Sequence, residues 1–319
     1  MDAILIDGLS FATPLLIMAV GGIICERSGI VMLALEGLQG FGAFVGAGVV
    51  VLAQMRLGPA SPWLVYIAMI AAMAGGLAFS LIHALLCVKF KAQQVISGVV
   101  VNTLAVALSA FLTSAANVVM TGDATNRFVF NVSPRFTVPV LSEIPVLGAF
   151  FKRMYPFEPM IFVVVIVVWY VLYKTRYGLR LRACGENPHS LDAAGVSVAA
   201  TQTAAIMICG ALAGLGGIFL AYSISGNYSP NIFMGYGYLS IAALIFGNWK
   251  IVPTFAVCMF FGLAKSSGYQ LCLWLELSSS YSELFLALPY ALTLILLVFF
   301  SKHNQPPRAL GEIFDKSKR

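Results

Sequence analysis

The chain has 319 residues, of which 60% are hydrophobic and 10% are charged, whereas soluble domains have roughly 45–50% apolar and about 25% charged residues. Its 19 Lys and Arg and 13 Asp and Glu residues cannot cover a globule of this length, which excludes a soluble enzyme and a disordered chain. The net charge of +6 does not indicate nucleic-acid binding, because the basic residues lie between apolar runs and in a tail rather than among aromatic residues.

Nine apolar runs follow one another along the chain, and a bilayer core about 30 Å thick needs roughly 20 apolar residues per helix. They cover residues 8–25, 29–53, 62–88, 94–119, 159–173, 200–222, 237–248, 251–275 and 284–300. The first run starts with Asp2 and Asp7 rather than the basic residues of a cleavable signal, so we expect it to remain as a helix. The seventh is too short to span unless it is broken. We therefore predict an all-α, polytopic transmembrane bundle of about 8–10 segments, including a broken or re-entrant helix.

The distribution of Lys and Arg predicts the orientation of the bundle. With the amino terminus outside, thirteen of these residues lie on the cytoplasmic side and five on the opposite side, as the positive-inside rule requires. This count treats the seventh run as one crossing. We expect a single transmembrane domain over 1–300, with an outer loop at 120–158 that holds a short helix around 146–154. A cytoplasmic loop is expected at 174–199 and a basic cytoplasmic tail at 301–319.

The cytoplasmic loop contains the signals of a short helix. Asn187 is suited to cap its first turn, Pro188 to its first helical position and Gly195 to a left-handed residue at its end. A solvated helix of about two turns is not stable alone. We therefore expect this helix to lie against a partner.

Small residues recur at four-residue spacing in the apolar runs. This spacing lets helix backbones approach closely in a membrane, and it predicts tight packing within one subunit rather than a pore. The pairs are Gly42 with Gly46, Ala43 with Ala47, Ala71 with Gly75, Ala72 with Gly76, and Gly210 with Gly214.

Polar residues inside apolar runs are costly and need a partner or a cavity, which makes them functional candidates. Glu36 is the clearest, with Gln39 one turn further on, and the adjacent glycines are expected to let the helix break and supply backbone donors. A structural acid is the alternative. Ser97, Asn102 and Asn248 offer hydrogen bonds to a sugar-like or base-like solute or, equally, between helices. We predict that these five residues line a substrate path.

The aromatic residues and cysteines are assigned different roles. The four Trp residues lie near run ends, as interfacial anchors do, whereas Tyr222 to Tyr238 is the segment in which stacking on a nucleobase is expected. The six Cys residues are scattered without a CxxC pair, so we predict neither a disulfide framework nor a metal site. The sequence contains no GxxxxGK[ST], HExxH or GxSxG motif, which argues against a catalytic role and against ATP hydrolysis by this chain.

Five segments of the sequence share the pattern of a known family. They are Cys25–Gly37, Val95–Asn102, Gly185–Gly195, Gly210–Gly217 and Gly235–Trp249. These segments resemble the permease subunits of bacterial ABC importers for nucleosides and simple sugars, which are of the branched-chain type. The first of them departs from the family pattern, because Met32 and Ala34 stand where relatives carry Asn and Gly. Substrate identity is therefore open, with nucleosides first, then ribose-like sugars and riboflavin-like heterocycles.

The resemblance implies a set of partners and a location. Family members carry no ATPase and no cofactor of their own, since ATP is used by a cytoplasmic ATP-binding subunit. They also pair with a second related permease and an external solute-binding protein, and they sit among the lipids of the bacterial plasma (inner) membrane. The short helix then becomes a coupling helix that docks on the ATPase through Glu186, Asn187, His189, Asp192, Ala193 and Gly195.

Two other functions are compatible with the composition. An ion-coupled secondary transporter usually has internal repeats and intramembrane acids, and only Glu36 suits that role. A structural membrane subunit needs no row of polar residues facing a cavity. Dependence of uptake on ATP rather than on an ion gradient distinguishes the first alternative, and normal function after replacement of Glu36 by Gln would favour the second.

Overall fold

The structure, a computed structural model, describes residues 2–58, 61–130, 135–139, 142, 148, 151–232, 235–275, 287–300 and 304–316. In this part of the chain the only sheet pairs strand β1 (Phe128–Val129) antiparallel with β2 (Asn227–Tyr228). All other long elements are helices. They are α1 (Asp2–Glu26), α2 (Leu35–Leu57), α3 (Trp63–Ala84), α4 (Gln94–Thr121), α5 (Phe157–Lys174), α6 (Arg176–Glu186), α7 (Pro188–Ala193), α8 (Val198–Phe219), α9 (Tyr236–Phe246), α10 (Ile251–Trp274) and α11 (Leu288–Phe300).

Among the described residues, seven helices are long and apolar enough to cross a membrane: α1 to α5, α8 and α10. Two of them are extended by a wider π turn, α3 over Leu85–Lys89 and α8 over Leu220–Ser225. Helices α9 and α11 are apolar but have only 11 and 13 residues. The predicted polytopic helical bundle is confirmed, and so is the short seventh element, since 11 residues of helix extend only about 16 Å.

Helix α8 lies at the centre of the bundle. In its most apolar stretch 83% of the residues are buried, against 28% in α5 at the periphery. Small residues bring its backbone against α2 and α3: a Cβ atom on Gly214 would collide with the carbonyl of Ala72, and one on Gly210 would lie 2.5 Å from the Ser80 side chain. The predicted close packing through small residues is therefore present within one subunit.

The seventh crossing is broken. The strand pair joins the ends of α4 and α8 at one face of the bundle, whereas Trp249 Nε1, just after α9, donates to the carboxylate of Glu26 at the end of α1 (2.5 Å). The chain therefore passes from one face to the other between Tyr228 and Trp249, and α9 forms only the second half of this passage. This agrees with counting the seventh run as one crossing.

The face that holds the ends of α1 and α9 also carries α6, α7 and residues 304–316. We call it the basic face, because Arg27, Arg182 and Lys250 lie there together. The strand pair marks the opposite face. Of the short helix expected around 146–154, residues 146, 147, 149 and 150 lie outside the described residues, and Met154 at its end forms a β-bridge with Phe136.

The predicted tail does not extend away from the bundle where the structure describes it. Ala309 N donates to Gly185 O (2.8 Å) and Gly311 N to Gly29 O (3.0 Å), while Gln305 N donates to Asn248 Oδ1 (2.9 Å). Residues 304–316 thus join α6, the loop between α1 and α2, and the turn after α9. The sequence carries no periodic signal for this, since the bonds use backbone groups that every sequence has.

Candidate functional site

A cavity of about 260 Å³ opens between α2, α4 and the start of α9. It lies where two helices begin inside the bundle, so backbone groups that need hydrogen-bond partners converge there. Its lining residues are Glu36, Gly37, Gly40, Asn102, Thr103, Ala105, Val106, Ser109, Pro230, Gly235 and Tyr238.

Glu36 caps the broken helix α9 from across the cavity. Its Oε1 accepts from Gly235 N (2.7 Å) and its Oε2 from Gly237 N (2.6 Å). A carboxylate at a helix amino terminus satisfies free N–H groups and faces the positive end of the helix dipole. Both positions suit glycine: Gly235 has a φ of +92°, and a Cβ on Gly237 would lie 2.6 Å from Glu36 Cα. The acid is thus a structural clamp and a lining residue at once.

Asn102 makes the corresponding link for the start of α2. Its Oδ1 accepts from Gly37 N (2.7 Å), and its Nδ2 donates to Leu33 O (2.8 Å) and to the Tyr238 hydroxyl (3.1 Å). One amide therefore joins α4 to α2 and α9. We therefore expect any movement of α4 to shift the starts of both α2 and α9.

The remaining polar groups of the cavity are neutral hydroxyls. Thr103 and Ser109 bond carbonyls of their own helix, at Val99 (3.0 Å) and Val106 (3.2 Å), and each hydroxyl oxygen retains acceptor capacity. Tyr238, which is 48% exposed, adds an aromatic ring. Such a lining suits a neutral solute that combines a flat apolar face with hydroxyl groups.

Three of the predicted path residues do not line this cavity. Gln39 is fully buried, and neither of its amide atoms has a hydrogen-bond partner in the described part of the chain. Ser97 is hydrogen-bonded to His83 Nδ1 (2.9 Å). Asn248 lies at the basic face, where its backbone is left-handed (φ +52°) and its side chain accepts from Gln305 N. Of the five predicted path residues, only Glu36 and Asn102 line this cavity together.

The aromatic segment that was expected to stack on a base is mostly used for packing. Tyr222 stacks on Phe130 with ring centroids 5.3 Å apart, and the buried Tyr228 lies in an aromatic cluster with Phe44 and Phe128. Tyr236 is hydrogen-bonded to the Lys265 amine, so that lysine is held within the bundle. Phe233 lies outside the described residues. Tyr238 is the member of the segment that lines the cavity.

The short helix predicted in the cytoplasmic loop is confirmed as α7. Asn187 Oδ1 accepts from Ser190 N (3.1 Å), Pro188 occupies the first turn, and Gly195 has a φ of +78°. Pro188 and Leu191 are buried against the bundle. Among the predicted coupling residues, the exposed ones are Glu186, Asn187, His189, Ala193 and Gly195.

The acids of this loop are already paired within the chain. Asp192 Oδ1 lies 3.1 Å from Lys316 Nζ, and Glu186 Oε1 lies 3.9 Å from Arg27 Nη1. The His189 ring lies 5.0 Å from the ring of Phe314. The tail therefore contacts α7 directly, which the sequence did not indicate.

No metal centre is found among the described residues, since none of their His, Cys, Asp and Glu side chains form a group of three or more. All six cysteines are buried free thiols.

Comparison with known proteins gives one family and several full-length relatives. The family described as "Branched-chain amino acid transport system / permease component" matches residues 4–299. The chain is 35% identical to the guanosine ABC transporter permease protein NupQ of Bacillus subtilis (strain 168), over 98% of this chain and 96% of the relative. It is 35% identical to the nucleoside ABC transporter permease protein NupC of Lactococcus lactis subsp. cremoris (strain MG1363), over 100% and 98%.

A further relative occurs in the same organism as the first. The guanosine ABC transporter permease protein NupP of Bacillus subtilis (strain 168) is 28% identical over 79% of this chain and 70% of its own length. No solved structure was found to match the chain.

Proposed function

Since this chain belongs to the permease component family of branched-chain amino acid transport systems, we propose that, as the permease subunit of an ABC importer, it forms the translocation path for nucleosides. The observation that carries the substrate class is its similarity over nearly the whole chain to two nucleoside permeases. The cavity beside Glu36 supports it, because its lining joins an exposed aromatic ring to neutral hydroxyls. A nucleoside offers a flat base and a hydroxylated sugar to such a lining.

The proposed ATP-binding subunit docks at the basic face, on the exposed side of α7. The excess of Lys and Arg supports a cytoplasmic position for this face. The proposed location is a bacterial inner membrane, with a solute-binding protein at the opposite face. A second, related permease completes the assembly. The similarity to both NupQ and NupP, two guanosine permeases of one bacterium, supports a related rather than an identical partner.

A continuous set of contacts connects α7 with the cavity. Gly185, at the end of α6, accepts from Ala309 in the tail, and Gly311 donates to Gly29 in the loop before α2. Helix α2 begins at Leu35, six residues after Gly29, and its first turn carries Glu36. We propose that movement of α7 on an ATPase is transmitted along this path to the starts of α2 and α9, which open and close the cavity.

The ion-coupled alternative depends on Glu36 as the acid that binds the coupling ion. Both oxygens of this carboxylate accept backbone N–H groups of α9, so its hydrogen bonds explain its position without an ion. The geometry therefore favours an ATP-driven importer over an ion-coupled transporter.

The substrate class is tested by uptake in cells that lack their own nucleoside uptake and express this chain with the proposed ATP-binding, second permease and solute-binding subunits. We expect accumulation of labelled guanosine that excess adenosine or another nucleoside reduces, whereas ribose, glucose and riboflavin do not compete. Uptake that only ribose or riboflavin inhibits would contradict the nucleoside proposal and leave the permease assignment intact.

A further inference from the structure

A second cavity, of about 540 Å³, lies at the basic face between the end of α5, α6 and the start of α10. The proposed transport path makes no use of it. In the described part of the chain its lining contains no acidic residue and four cationic ones, Arg27, Lys174, Arg182 and Lys250. A cavity with this charge is suited to an anion.

The cavity lies at the level where a membrane meets water. Trp169 and Tyr173 line it near the end of the apolar helix α5, and Trp and Tyr at helix ends mark the headgroup region. On the other side Val252, in the first turn of α10, is 68% exposed. The opening therefore faces lipid headgroups rather than the interior of the bundle.

The two arginines are held in place and retain further N–H donors. Arg27 Nε donates to Trp249 O (3.1 Å), and its Nη1 lies 3.9 Å from the exposed Glu186 carboxylate. Arg182 Nε donates to Gly178 O (3.3 Å), and its guanidinium lies 5.6 Å above the ring of Tyr173. Each guanidinium carries five N–H donors, so these contacts leave donors for a ligand. Burial lowers the pKa of Arg27, and the single distant acid at Glu186 only partly offsets this effect.

The amino terminus of α10 adds backbone donors to the same cavity. Lys250 precedes this 24-residue helix, and its side chain makes no capping hydrogen bond. Ile251 and Val252 at the first turn belong to the cavity lining. The first N–H groups of a helix have no partner within it, and the helix dipole favours negative charge there.

Deeper in the membrane the surface of the same two helices is apolar. The rings of Phe162 in α5 and Phe255 in α10 are in edge contact, with centroids 6.2 Å apart, and Val163 and Ile166 of α5 are 61% and 65% exposed. Such a surface contacts hydrocarbon chains. A soluble anion would fill the basic cavity but make no use of this surface.

We propose that the basic cavity binds the phosphate headgroup of an anionic phospholipid whose acyl chains lie against the apolar outer surface of α5 and α10. Basic pockets between membrane helices recognise such headgroups. This inference is independent of the substrate and of the direction of transport.

Native mass spectrometry of the full-length chain, purified with the subunits that accompany it, tests this proposal. The probes are phosphatidylglycerol and the zwitterionic phosphatidylethanolamine, each added in equal amount. We expect preferential retention of phosphatidylglycerol. K174Q/K250Q should weaken it about 25-fold, because each basic residue near an anionic surface contributes roughly a factor of five. Lys174 and Lys250 are exposed, so this variant should fold.

A matched control removes two charges from the same face outside the cavity. R176Q/R180Q changes two exposed residues of α6 that do not line it, and it should retain phosphatidylglycerol as the unchanged chain does. Equal retention of the two lipids, or equal loss in both double variants, would overturn the proposal. Displacement of the lipid by millimolar inorganic phosphate would also overturn it, because the ligand would then be a soluble anion.

Discussion

Glu36 and Asn102 show how far single residues can be interpreted before the fold is known. A carboxylate and an amide inside apolar runs are unusual enough to be selected from the sequence. Their hydrogen-bond partners cannot be selected in this way, because the donors to Glu36 are 199 and 201 residues away in the chain. The predicted donors, the glycines next to Glu36, were wrong: the bonds come from Gly235 and Gly237.

Replacing Glu36 by Gln tests its role as a clamp. The amide retains one acceptor oxygen and presents an NH₂ group to the other backbone N–H of α9. An unpaired buried donor costs about 1–3 kcal/mol, so we expect E36Q to lower the thermal midpoint in detergent and to reduce uptake.

Thr103 provides the control for this variant, because it lines the same cavity while its hydroxyl bonds only the carbonyl of Val99 in its own helix. T103A should therefore leave the thermal midpoint nearly unchanged. An E36Q variant that is as stable as T103A would show that the bonds to α9 contribute little.

Replacement of Gln39, in contrast to that of Glu36, is expected to stabilise the protein. Its buried amide has no hydrogen-bond partner in the described part of the chain, and a buried amide without partners costs about 1–3 kcal/mol. Q39M keeps a similar volume without polar N and O atoms, so we expect a higher thermal midpoint and unchanged uptake. Loss of uptake by a stable Q39M protein would instead support the sequence-based assignment of Gln39 to the substrate path.

At the scale of elements, local signals predicted α7 and the short seventh run because caps and run lengths are properties of neighbouring residues. The packing of the tail was not predicted. Ala309 and Gly311 donate backbone N–H groups, and the side-chain sequence does not indicate which backbone groups will form such bonds. The tail also pairs with α7 through Lys316 and Asp192. Any test of the coupling role must therefore separate an effect on the tail from an effect on the ATPase.

Charge reversal at Asp192 makes this separation. The Lys316 side chain is 75% exposed, so the ion pair is worth at most about 1 kcal/mol and D192K should remain folded. We expect the ATP-binding subunit to be lost when D192K is purified and identified by mass spectrometry. The swap D192K/K316D restores the pair within the chain and should not restore the ATPase.

The single variant K316D is the control, because it breaks the same ion pair and leaves Asp192 in place. It should retain the ATP-binding subunit. Recovery of that subunit in the swap, together with its loss in K316D, would assign the effect to the tail rather than to docking.

For the whole molecule, the helical class and the order of the membrane segments followed from the apolar runs, because backbone groups in hydrocarbon must be paired within each segment. Of the nine predicted runs, seven form helices long enough to cross among the described residues. The location of the cavity did not follow. It depends on which helices meet, and composition along the chain carries no information on whether α2 contacts α4 or α9. Orientation rests on the Lys and Arg bias, which can be tested directly.

Labelling with a membrane-impermeant maleimide tests the orientation. All six native cysteines are buried and should react slowly. Ala124 and Arg180 are exposed on opposite faces of the bundle. In intact spheroplasts A124C should be labelled and R180C should not, whereas both should react after lysis. The reverse pattern in spheroplasts would place the basic face outside and contradict the proposed side of ATPase docking.

The most direct test of the central claim, an ATP-driven path for nucleosides, is uptake of labelled guanosine into proteoliposomes that contain the purified complex. The solute-binding protein is supplied outside and ATP inside. The account predicts uptake that requires ATP and persists when ionophores collapse proton and sodium gradients. Uptake that proceeds without ATP and stops with the ionophores would contradict the account and indicate an ion-coupled transporter.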